Sequence, residues 1–519
     1  HPRFLFSVLA VAACWPASRL HAQAGMEYEG VTIQAPVAAA ERALPATLVV
    51  DEDRSLGAID PRLLGIAYSW STVNTYLYEH NLRAPFIEAF KGLRLPLNRI
   101  GGAEGQAFKW KQAVGPRDQR PSQKIEPWFN EPVVQQCGPL EWVKTLTAID
   151  PRAGFVIALN LLTDTPEDHA DLVELLTSPV GENPNGGVAW AEVRAQAGLV
   201  EPVKVALWEL GNENDWAGQK KSIPPEDYVA RCQASIQAIR TVDPRARFAA
   251  HAAGAPHNTT HPRPFAGTWH VWHRLVLREL GPDIDYLVFH PYYNHGGVAE
   301  QESFITEIRA DILALTGSDR IKLFFSEHAV WPSELRNREK WPTTHNLHAC
   351  LLTGQFLLDQ LRYPGSMAAV WSMNAGPWGM FYPDGRKGVY TTGIADLLRT
   401  LNHGLGDRLL ESRLEGERTR PEGHGTTLAS AVMRDAAGVN IVLINLEPAA
   451  PRKLSVRLKN PWRLVEQMIL TGDSPESHNT QDAAGLRTET RRPDDATSFT
   501  AFTVPPCSVV VLKLIPLSP

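Results

Sequence analysis

Short apolar runs alternate with segments of helical spacing through the middle of this 519-residue chain. The runs are "LLGIAYS" (63–69), "LRLPLNRIGG" (93–102), "GFVIALNL" (154–161), "VKVALWELGNE" (203–213), "RFAAHAAG" (247–254), "IDYLVFHPYY" (284–293), "IKLFFSEHA" (321–329) and "MAAVWSMN" (367–374). Near-continuous apolar strands are typical of a parallel sheet, because helices cover both of its faces. Eight such strands alternating with helices over residues 57–404 predict an α/β fold, a (β/α)₈ TIM barrel. A doubly wound open sheet is the alternative, but no glycine-rich phosphate turn follows an early strand.

The segment "TPEDHADLVELL" predicts one of these helices together with its start. Thr165 suits the N-cap position and Pro166 suits the first helical position. Asp168 stands where its carboxylate can accept the backbone N–H of the capping residue.

The pattern changes near residue 405. Runs such as "TLASAVMRD", "VNIVLINLE" and "SVVVLKLI" are short and lie between turn residues. They predict an appended antiparallel β-sandwich over residues 405–519. The early run "ATLVVDED" has no helix after it, so residues 46–56 are predicted to contribute one further strand to that sandwich.

The first residues have the pattern of a targeting segment. Arg3 precedes the apolar run "FLFSVLAVAACW", and "AQA" at residues 22–24 is a small-x-small cleavage signal. We therefore expect a signal peptide at residues 1–24 and a loose leader at residues 25–45. The protein is then exported, to the periplasm or to the extracellular side.

The same segment leaves a second route of export open. Cys14 ends the sequence "VAAC", which resembles a bacterial lipobox and would make this residue a lipid anchor. The apolar run is too short to cross a bilayer, so we predict no transmembrane segment.

The amino-acid composition of the chain limits which classes of ligand it can bind. A formal net charge of −6, from 51 basic and 57 acidic residues, gives no basic surface for nucleic acid. The cysteines after the leader are widely spaced and form no CxxC pair. A metal-dependent hydrolase is an alternative because the chain has 17 histidines, but His251, His257 and His261 form no HExxH helix. We predict no metal and no cofactor.

Two glutamates end predicted strands on opposite sides of the barrel. Glu213 follows the fourth strand and Glu327 the seventh. Reacting groups in such barrels lie at the carboxyl ends of the strands, so the two carboxylates are expected to face each other across the mouth. This pairing suits glycoside hydrolysis, in which one carboxyl protonates the leaving oxygen and the other attacks the anomeric carbon. The partner is then a carbohydrate, an oligosaccharide or a polysaccharide.

Further polar and aromatic residues end the same strands and are predicted to contact the sugar. We expect Asn212 to hydrogen-bond the sugar 2-hydroxyl, and His290 or Tyr292 to keep Glu327 charged. The other candidates are Arg99, Tyr68, Ser69, Trp331, Trp371 and Asn374.

These residues resemble a known group of enzymes. "WELGNE", followed by a glutamate on the seventh strand, resembles the clan A glycoside hydrolases, which retain the anomeric configuration. Within the clan, "IGGAEGQAFKWKQAVGPRDQRP", "FHPYY" and "SEHAVW" are similar to stretches of family 51, which are mostly α-L-arabinofuranosidases. The resemblance implies that Glu213 is the acid/base and Glu327 the nucleophile.

Departures from the family pattern concern the sugar pocket. Ser69 stands where the family has a glutamate that binds furanose hydroxyls, and Ala103 where it has a sugar-binding asparagine. Ser326 replaces an aspartate and His328 a tryptophan. We therefore expect weak or narrow activity on simple arabinofuranosides.

Other functions stay open. "RIGG" is also similar to the β-glucuronidases of the clan, in which case Arg99 would pair with a sugar carboxylate. The first alternative is thus a β-glucuronidase-like enzyme, or another glycosidase or endoglycanase with a rebuilt glycone pocket. A non-catalytic carbohydrate-binding protein is the alternative from another class.

Overall fold

The computed structural model of the protein describes residues 43–70, 77–78, 81–125, 131–215, 222–253, 270–293, 297–373, 376–384, 388–416, 426–493 and 498–517.

Eight parallel strands close into a barrel. In chain order, as the first to the eighth barrel strand, they are Gly65–Ser69, Asn98–Gly101, Phe155–Leu159, Val205–Leu210, Phe248–His251, Tyr286–Val288, Lys322–His328 and Met367–Val370. The eighth strand pairs with the first, with Val370 opposite Ile66, which closes the ring. The predicted TIM barrel is therefore confirmed, and the open-sheet alternative is wrong.

Helices connect the barrel strands and cover them. They are Arg83–Ala89, Pro139–Ile149, Pro166–Thr177, Trp190–Gln196, Pro225–Val242, His270–Leu280, Gly297–Thr316, Leu347–Gln360 and Gly393–Gly404. Small hairpins (Ser122–Gln123 with Val133–Val134, and Phe381–Pro383 with Val389–Thr391) lie in the connections. The predicted capping box is present: Thr165 accepts from Asp168 N at 3.2 Å, and the Asp168 carboxylate accepts from Thr165 N at 2.9 Å.

Side chains alternate along each barrel strand between the barrel interior and the helix layer. In the first strand, Ala67 belongs to the interior cluster, whereas Ile66 and Tyr68 pack with residues of the helices. Leu97, directly before the second strand, and Leu207 in the fourth are also interior residues. Polar residues two positions further along the chain, such as Arg99 and Glu209, therefore also face the barrel interior, beneath its mouth.

Nine strands form the second sheet. In spatial order they are Leu486–Arg491, Trp462–Gly472, Ser508–Pro516, Val439–Asn445, Leu428–Arg434, Arg408–Glu415, Leu44–Ala58, Arg452–Arg457 and Ala501–Val504. The sheet curls around a second apolar core that includes Leu48, Leu443, Leu454 and Val510. The appended antiparallel β domain is thus confirmed, as one curled sheet whose two halves enclose this core.

The strand Leu44–Ala58 joins the two halves of this sheet. It pairs antiparallel with Arg408–Glu415, for example Val50 opposite Ser412. On its other side it pairs parallel with Arg452–Arg457, for example Leu48 opposite Val456.

The sheet packs directly against helices of the barrel. A Cβ atom on Gly354 would lie 2.7 Å from Ile444, and one on Gly404 would lie 2.9 Å from Val511. Glycine therefore permits this close approach of helix and sheet. We propose the division between the two domains at residues 404 and 405, where the last helix ends.

The predicted signal peptide and residues 25–42 of the predicted leader lie outside the described residues. Among the residues that the structure does describe, no helix has the length and apolar character needed to span a membrane.

Candidate active site

A buried arginine connects the acidic side chains at the barrel mouth. Arg99, in the second strand, is fully buried and donates through Nε and Nη2 to the Glu209 carboxylate, at 2.7 and 2.9 Å. It also donates through Nη1 to Glu327 Oε1 at 2.7 Å and through Nη2 to Asn212 Oδ1 at 2.6 Å. The planar guanidinium thereby fixes three acceptors from two facing strands relative to one another.

Glu209 is a buried carboxylate that the sequence analysis missed. It accepts from Arg99, from Ser326 Oγ at 2.7 Å and from His251 Nε2 at 3.0 Å. Burial opposes its ionisation, yet Arg99 and His251 hold the pKa of Glu209 well below its usual range. Its signal in the sequence is an acidic residue in an apolar strand, two positions after the interior residue Leu207.

Glu327 has a donor on each of its carboxylate oxygens. Arg99 donates to Oε1, and the hydroxyl of Tyr292 donates to Oε2 at 3.0 Å. A register shift in the seventh strand lets Glu327 and the preceding Ser326 both contact interior residues, which strict alternation would forbid. Burial raises the pKa of Glu327 above its ordinary value, and the positive charge of Arg99 opposes that rise.

Glu213 follows a tight turn at the end of the fourth strand. Gly211 has φ +85°, and a Cβ atom there would lie 2.0 Å from Asn214 Oδ1, so glycine is required. Glu213 itself has φ +46°, which costs a non-glycine residue about 1 kcal/mol or more and is typical of functional sites. Its Oε1 lies 2.8 Å from His290 Nδ1.

The direction of the hydrogen bonds around His290 follows from the neighbouring charges. The Ser326 hydroxyl donates to the Glu209 anion, so its oxygen accepts from His290 Nε2–H at 2.8 Å. Burial lowers the pKa of His290 to about 3, so the ring is neutral and Nδ1 carries no proton. Nδ1 can therefore accept a hydrogen bond from the protonated form of Glu213.

The two strand-end glutamates are close together. A carboxylate oxygen of Glu213, one of Glu327 and a nitrogen of His290 all lie within 4.8 Å of one another. Retaining glycosidases have their carboxyl groups about 5 to 5.5 Å apart, whereas inverting enzymes need about 6.5 to 9.5 Å to admit a water. The spacing therefore fits a direct attack by one carboxylate.

Asn212 presents one free donor at the mouth. Its Oδ1 accepts from Arg99, and its Nδ2 is buried with no hydrogen-bond partner among the described residues. A buried N–H without an acceptor costs about 1 to 3 kcal/mol, so a substrate oxygen at this position would be bound favourably.

Aromatic rings form one wall beside Glu327. The Tyr292 ring meets the Trp331 ring edge-on at 5.1 Å, and Trp331 meets Trp378 at 5.2 Å. Trp378 lies in a short 3₁₀ turn, Gly376–Trp378, outside the strand ends that the sequence analysis considered. Trp371, which was predicted, directly follows the eighth strand and packs in the interior cluster.

Two residues that were predicted to contact the sugar do not face the open mouth, and a third lies outside the described residues. Tyr68 is fully buried, donates to Asn98 Oδ1 at 2.8 Å and packs on Trp142 of a helix. It faces the helix layer because its neighbour Ser69 takes the interior position. Arg99 is enclosed beneath the carboxylates and does not reach the open mouth. Asn374 lies outside the described residues.

Ser69 contacts a further carboxylate that the sequence analysis missed. Its hydroxyl donates to Glu104 Oε1, which also accepts from Trp70 N at 3.0 Å. Glu104 lies in the 3₁₀ helix Ala103–Gln106, directly after the second strand, where no strand periodicity points to it.

The chain is similar to known arabinofuranosidases. A family model described as the alpha-L-arabinofuranosidase 1 domain matches residues 89–295. An intracellular exo-α-(1→5)-L-arabinofuranosidase of Streptomyces lividans is 25% identical over 478 residues, 84% of this chain and 70% of that protein. An exo-α-(1→6)-L-arabinofuranosidase of Bifidobacterium longum is 25% identical over 520 residues, 89% of this chain and 95% of that protein.

Solved structures share the whole fold. The α-L-arabinofuranosidase of Thermotoga maritima superposes with a TM-score of 0.75 at 19% identity, over 91% of this chain and 100% of that one. A family 51 enzyme of Xanthomonas axonopodis gives a TM-score of 0.74 at 18% identity, with the same coverage. The chain is a family 51-like glycoside hydrolase of clan A. The hydrolase therefore acts on carbohydrate, and the non-catalytic alternative is wrong.

Two groups among the described residues have the donor atoms of a metal site. They are Glu209 with His251 and His290, and Glu213 with His290 and Glu327. Each group includes a carboxylate that accepts from the Arg99 guanidinium. A bound cation would be repelled by the positive charge of this guanidinium. The arrangement therefore favours a hydrogen-bonded network over a metal site.

The predicted export of the hydrolase is wrong. Five of the curated relatives, including the one from Streptomyces lividans, are named intracellular. The apolar run after Arg3 was not sufficient to predict export, because runs of about a dozen apolar residues are also typical of protein cores. The same finding removes lipid anchoring at Cys14.

Proposed function

We propose that the hydrolase is an exo-acting α-L-arabinofuranosidase in which Glu213 is the acid/base and Glu327 the nucleophile. The observation that carries this proposal is the pair of carboxylates within 4.8 Å, one beside His290 Nδ1 and the other held by two donors. The names of the relatives supply the sugar and the exo action.

In the first half of the reaction the substrate is transferred to the enzyme. Glu213 donates its proton to the glycosidic oxygen while a carboxylate oxygen of Glu327 attacks the anomeric carbon. The proton is available because His290 accepts rather than donates at Nδ1. The bond to the leaving group breaks as the glycosyl ester of Glu327 forms.

In the second half water releases the sugar. Glu213, now ionised, takes a proton from a water molecule that attacks the anomeric carbon, and the ester bond to Glu327 breaks. Arg99 and Tyr292 stabilise the carboxylate that is set free, since each donates to one of its oxygens. Asn212 Nδ2 can donate to the sugar 2-hydroxyl throughout.

A uronidase is the less favoured function. It needs a cation for the sugar carboxylate, and Arg99 already donates to Glu209, Glu327 and Asn212. The fully buried guanidinium cannot also reach a sugar carboxylate without giving up one of these acceptors.

The stereochemistry of the first-formed sugar tests the mechanism. With 4-nitrophenyl α-L-arabinofuranoside, proton NMR at early times should show α-arabinose before mutarotation produces the β-anomer. Retention is expected because the carboxylate spacing leaves no room for a water between Glu327 and the sugar. β-Arabinose as the first product would contradict the double displacement.

The pH dependence of the reaction tests the role of Arg99. In Arg99→Lys one ammonium replaces a guanidinium that donates to three residues, so Glu327 loses part of the stabilisation of its charged form. The pKa of Glu327, already raised by burial, should rise further. Because the nucleophile must be ionised, activity is lost as pH falls through that pKa. The acid limb of kcat/KM should therefore move to higher pH by roughly one unit.

Arg194→Lys is the matched control for this variant. Arg194 is also fully buried, but it donates to backbone carbonyls such as those of Leu175 and Leu199. We expect this control to lower the melting temperature without moving the acid limb. An acid limb that stays in place in Arg99→Lys would show that Arg99 does not stabilise the ionised nucleophile.

A further inference from the structure

Glu104 is a buried carboxylate at the barrel mouth that the proposed mechanism does not use. Glu104 is 8% exposed to solvent. One oxygen, Oε1, accepts from the Ser69 hydroxyl and from Trp70 N. These two donors hold the carboxylate against the end of the first barrel strand, although Glu104 follows the second strand.

The other oxygen of this carboxylate is available to a ligand. Within the described part of the chain, no donor is hydrogen-bonded to Glu104 Oε2. A Cβ atom on Gly102 would lie 3.0 Å from this oxygen and 2.9 Å from the edge of the Trp371 ring. The free oxygen and the ring edge therefore lie on one side of Gly102, whose φ of +98° only glycine adopts readily.

The loop that carries Glu104 is anchored to the catalytic strands. Gln106 Nε2 donates to Leu159 O at 2.9 Å, and Gln106 Oε1 accepts from Asn214 Nδ2 at 3.2 Å. Asn214 in turn accepts from the backbone N–H of Asn212. The position of the free oxygen is thus tied to the turn that presents the proposed acid/base.

We propose that Glu104 binds a hydroxyl group of the sugar whose glycosidic bond is broken, and so makes the site selective for a neutral glycone. The proposal rests on the proposed function and names its substrate class more closely. A hydroxyl donated to Oε2 would form a hydrogen bond with a carboxylate oxygen that no described donor serves. The apolar edge of the Trp371 ring on the same side of Gly102 can contact C–H groups of that sugar.

The electrostatics at this place exclude an acidic sugar. Burial raises the pKa of Glu104, and the nearby charge of Glu327 raises it further. Both effects oppose further negative charge here, and a sugar carboxylate would add one beside Glu327. Arg99 cannot neutralise it, since its donors already serve the residues beneath the mouth.

The position of Glu104 also explains how the site can function with Ser69 in place of the family's glutamate. The sequence analysis predicted that a serine there removes the acceptor for the furanose hydroxyls. In the structure that serine instead donates to Glu104, so a carboxylate lies at the same strand end but comes from a different loop. The acceptor is then relocated, and the weak activity expected on simple arabinofuranosides does not follow.

Substrates that lack one hydroxyl test this proposal. The parent 4-nitrophenyl α-L-arabinofuranoside is compared with its 2-deoxy, 3-deoxy and 5-deoxy analogues on the wild type, Glu104→Ala and the isosteric Glu104→Gln. For one analogue the wild type should lose about 100-fold in kcat/KM. Glu104→Ala should lose a similar factor on the parent and should no longer distinguish the parent from that analogue. Glu104→Gln keeps the size of the side chain and should show a smaller loss, mainly in KM.

Glu174→Ala is the matched control. Glu174 is fully buried and accepts from the backbone N–H groups of Asn185 and Trp190, far along the chain from the site. This variant should lower the melting temperature and leave the discrimination among analogues as in the wild type. A merely structural role of Glu104 would give that same pattern, and full discrimination in Glu104→Ala would overturn the proposal.

A panel of other nitrophenyl glycosides separates this proposal from the proposed function. If the wild type prefers a different neutral glycoside, the arabinofuranosidase assignment fails and the role of Glu104 stands, provided Glu104→Ala loses that activity. Preference for a glucuronide would overturn the role of Glu104. Absence of turnover on every glycoside would overturn both.

Discussion

Glu327→Ala should abolish turnover of every substrate, with kcat lower by a factor on the order of 10⁶, as for other lost nucleophiles. No other group would be able to form the glycosyl ester, because Glu213 is the proton donor in the proposed mechanism. Steady-state hydrolysis of 4-nitrophenyl α-L-arabinofuranoside measures the loss. The fold should survive, since Arg99 keeps its two hydrogen bonds to Glu209.

Added azide and a distant glutamate serve as controls for this variant. Azide can enter the space of the missing carboxylate, and the glycosyl azide formed should have inverted configuration. Glu302→Ala is the matched substitution, because Glu302 has a pKa that burial raises but lies on the outer helix Gly297–Thr316. It should keep the wild-type kcat. Rescue of Glu327→Ala by azide with retained configuration would reverse the two assigned roles.

Glu213→Ala should have the second largest effect, and that effect should depend on the leaving group. For substrates with a poor leaving group, kcat/KM should fall by about 10²- to 10⁴-fold, because no proton reaches the glycosidic oxygen. An activated phenol departs without protonation, so its kcat/KM should change much less. A plot of log kcat/KM against the pKa of the leaving phenol therefore measures the role of Glu213.

The second half of the reaction provides an independent check on Glu213. Without the base, the glycosyl enzyme should accumulate, and a burst of nitrophenol should precede a slow steady state. Azide needs no base and should accelerate the steady state, giving a glycosyl azide of retained configuration. Glu213→Gln separates orientation from proton transfer, since the amide can still donate to His290. If Glu213→Gln turned over poor leaving groups like the wild type, Glu213 would not be the acid.

Strand periodicity was sufficient to predict the barrel and the two glutamates at its mouth. Each apolar run gave one strand, and the carboxyl ends of the fourth and seventh strands placed Glu213 and Glu327 on facing sides. Alternation would also have placed Tyr68 outward, because Ser69 and Tyr68 cannot both face the interior. The prediction for Tyr68 was wrong because it used only the position at the strand end. It did not use the rule that neighbouring residues of a strand face opposite sides.

Other features depend on contacts between distant segments and have no local signal. Nothing in "IGGAEGQ" indicates that Glu104 reaches the end of a neighbouring strand, because the 3₁₀ helix that holds it has no strand period. The register shift that turns Ser326 and Glu327 to the same side also breaks the period of two. Arg99 was identified from the sequence, but its role depends on Glu209, which only the closed barrel brings next to it.

The strand Leu44–Ala58 makes the order of synthesis important for folding. The strands Arg452–Arg457 and Ala501–Val504 connect to the rest of their sheet through this strand. This strand is therefore completed on both sides only by segments that follow it by about 350 residues or more. Contacts of such long range are slow to form. During synthesis the barrel can close first, and both edges of this strand then stay unpaired until the later strands are made. Unpaired strand edges favour aggregation.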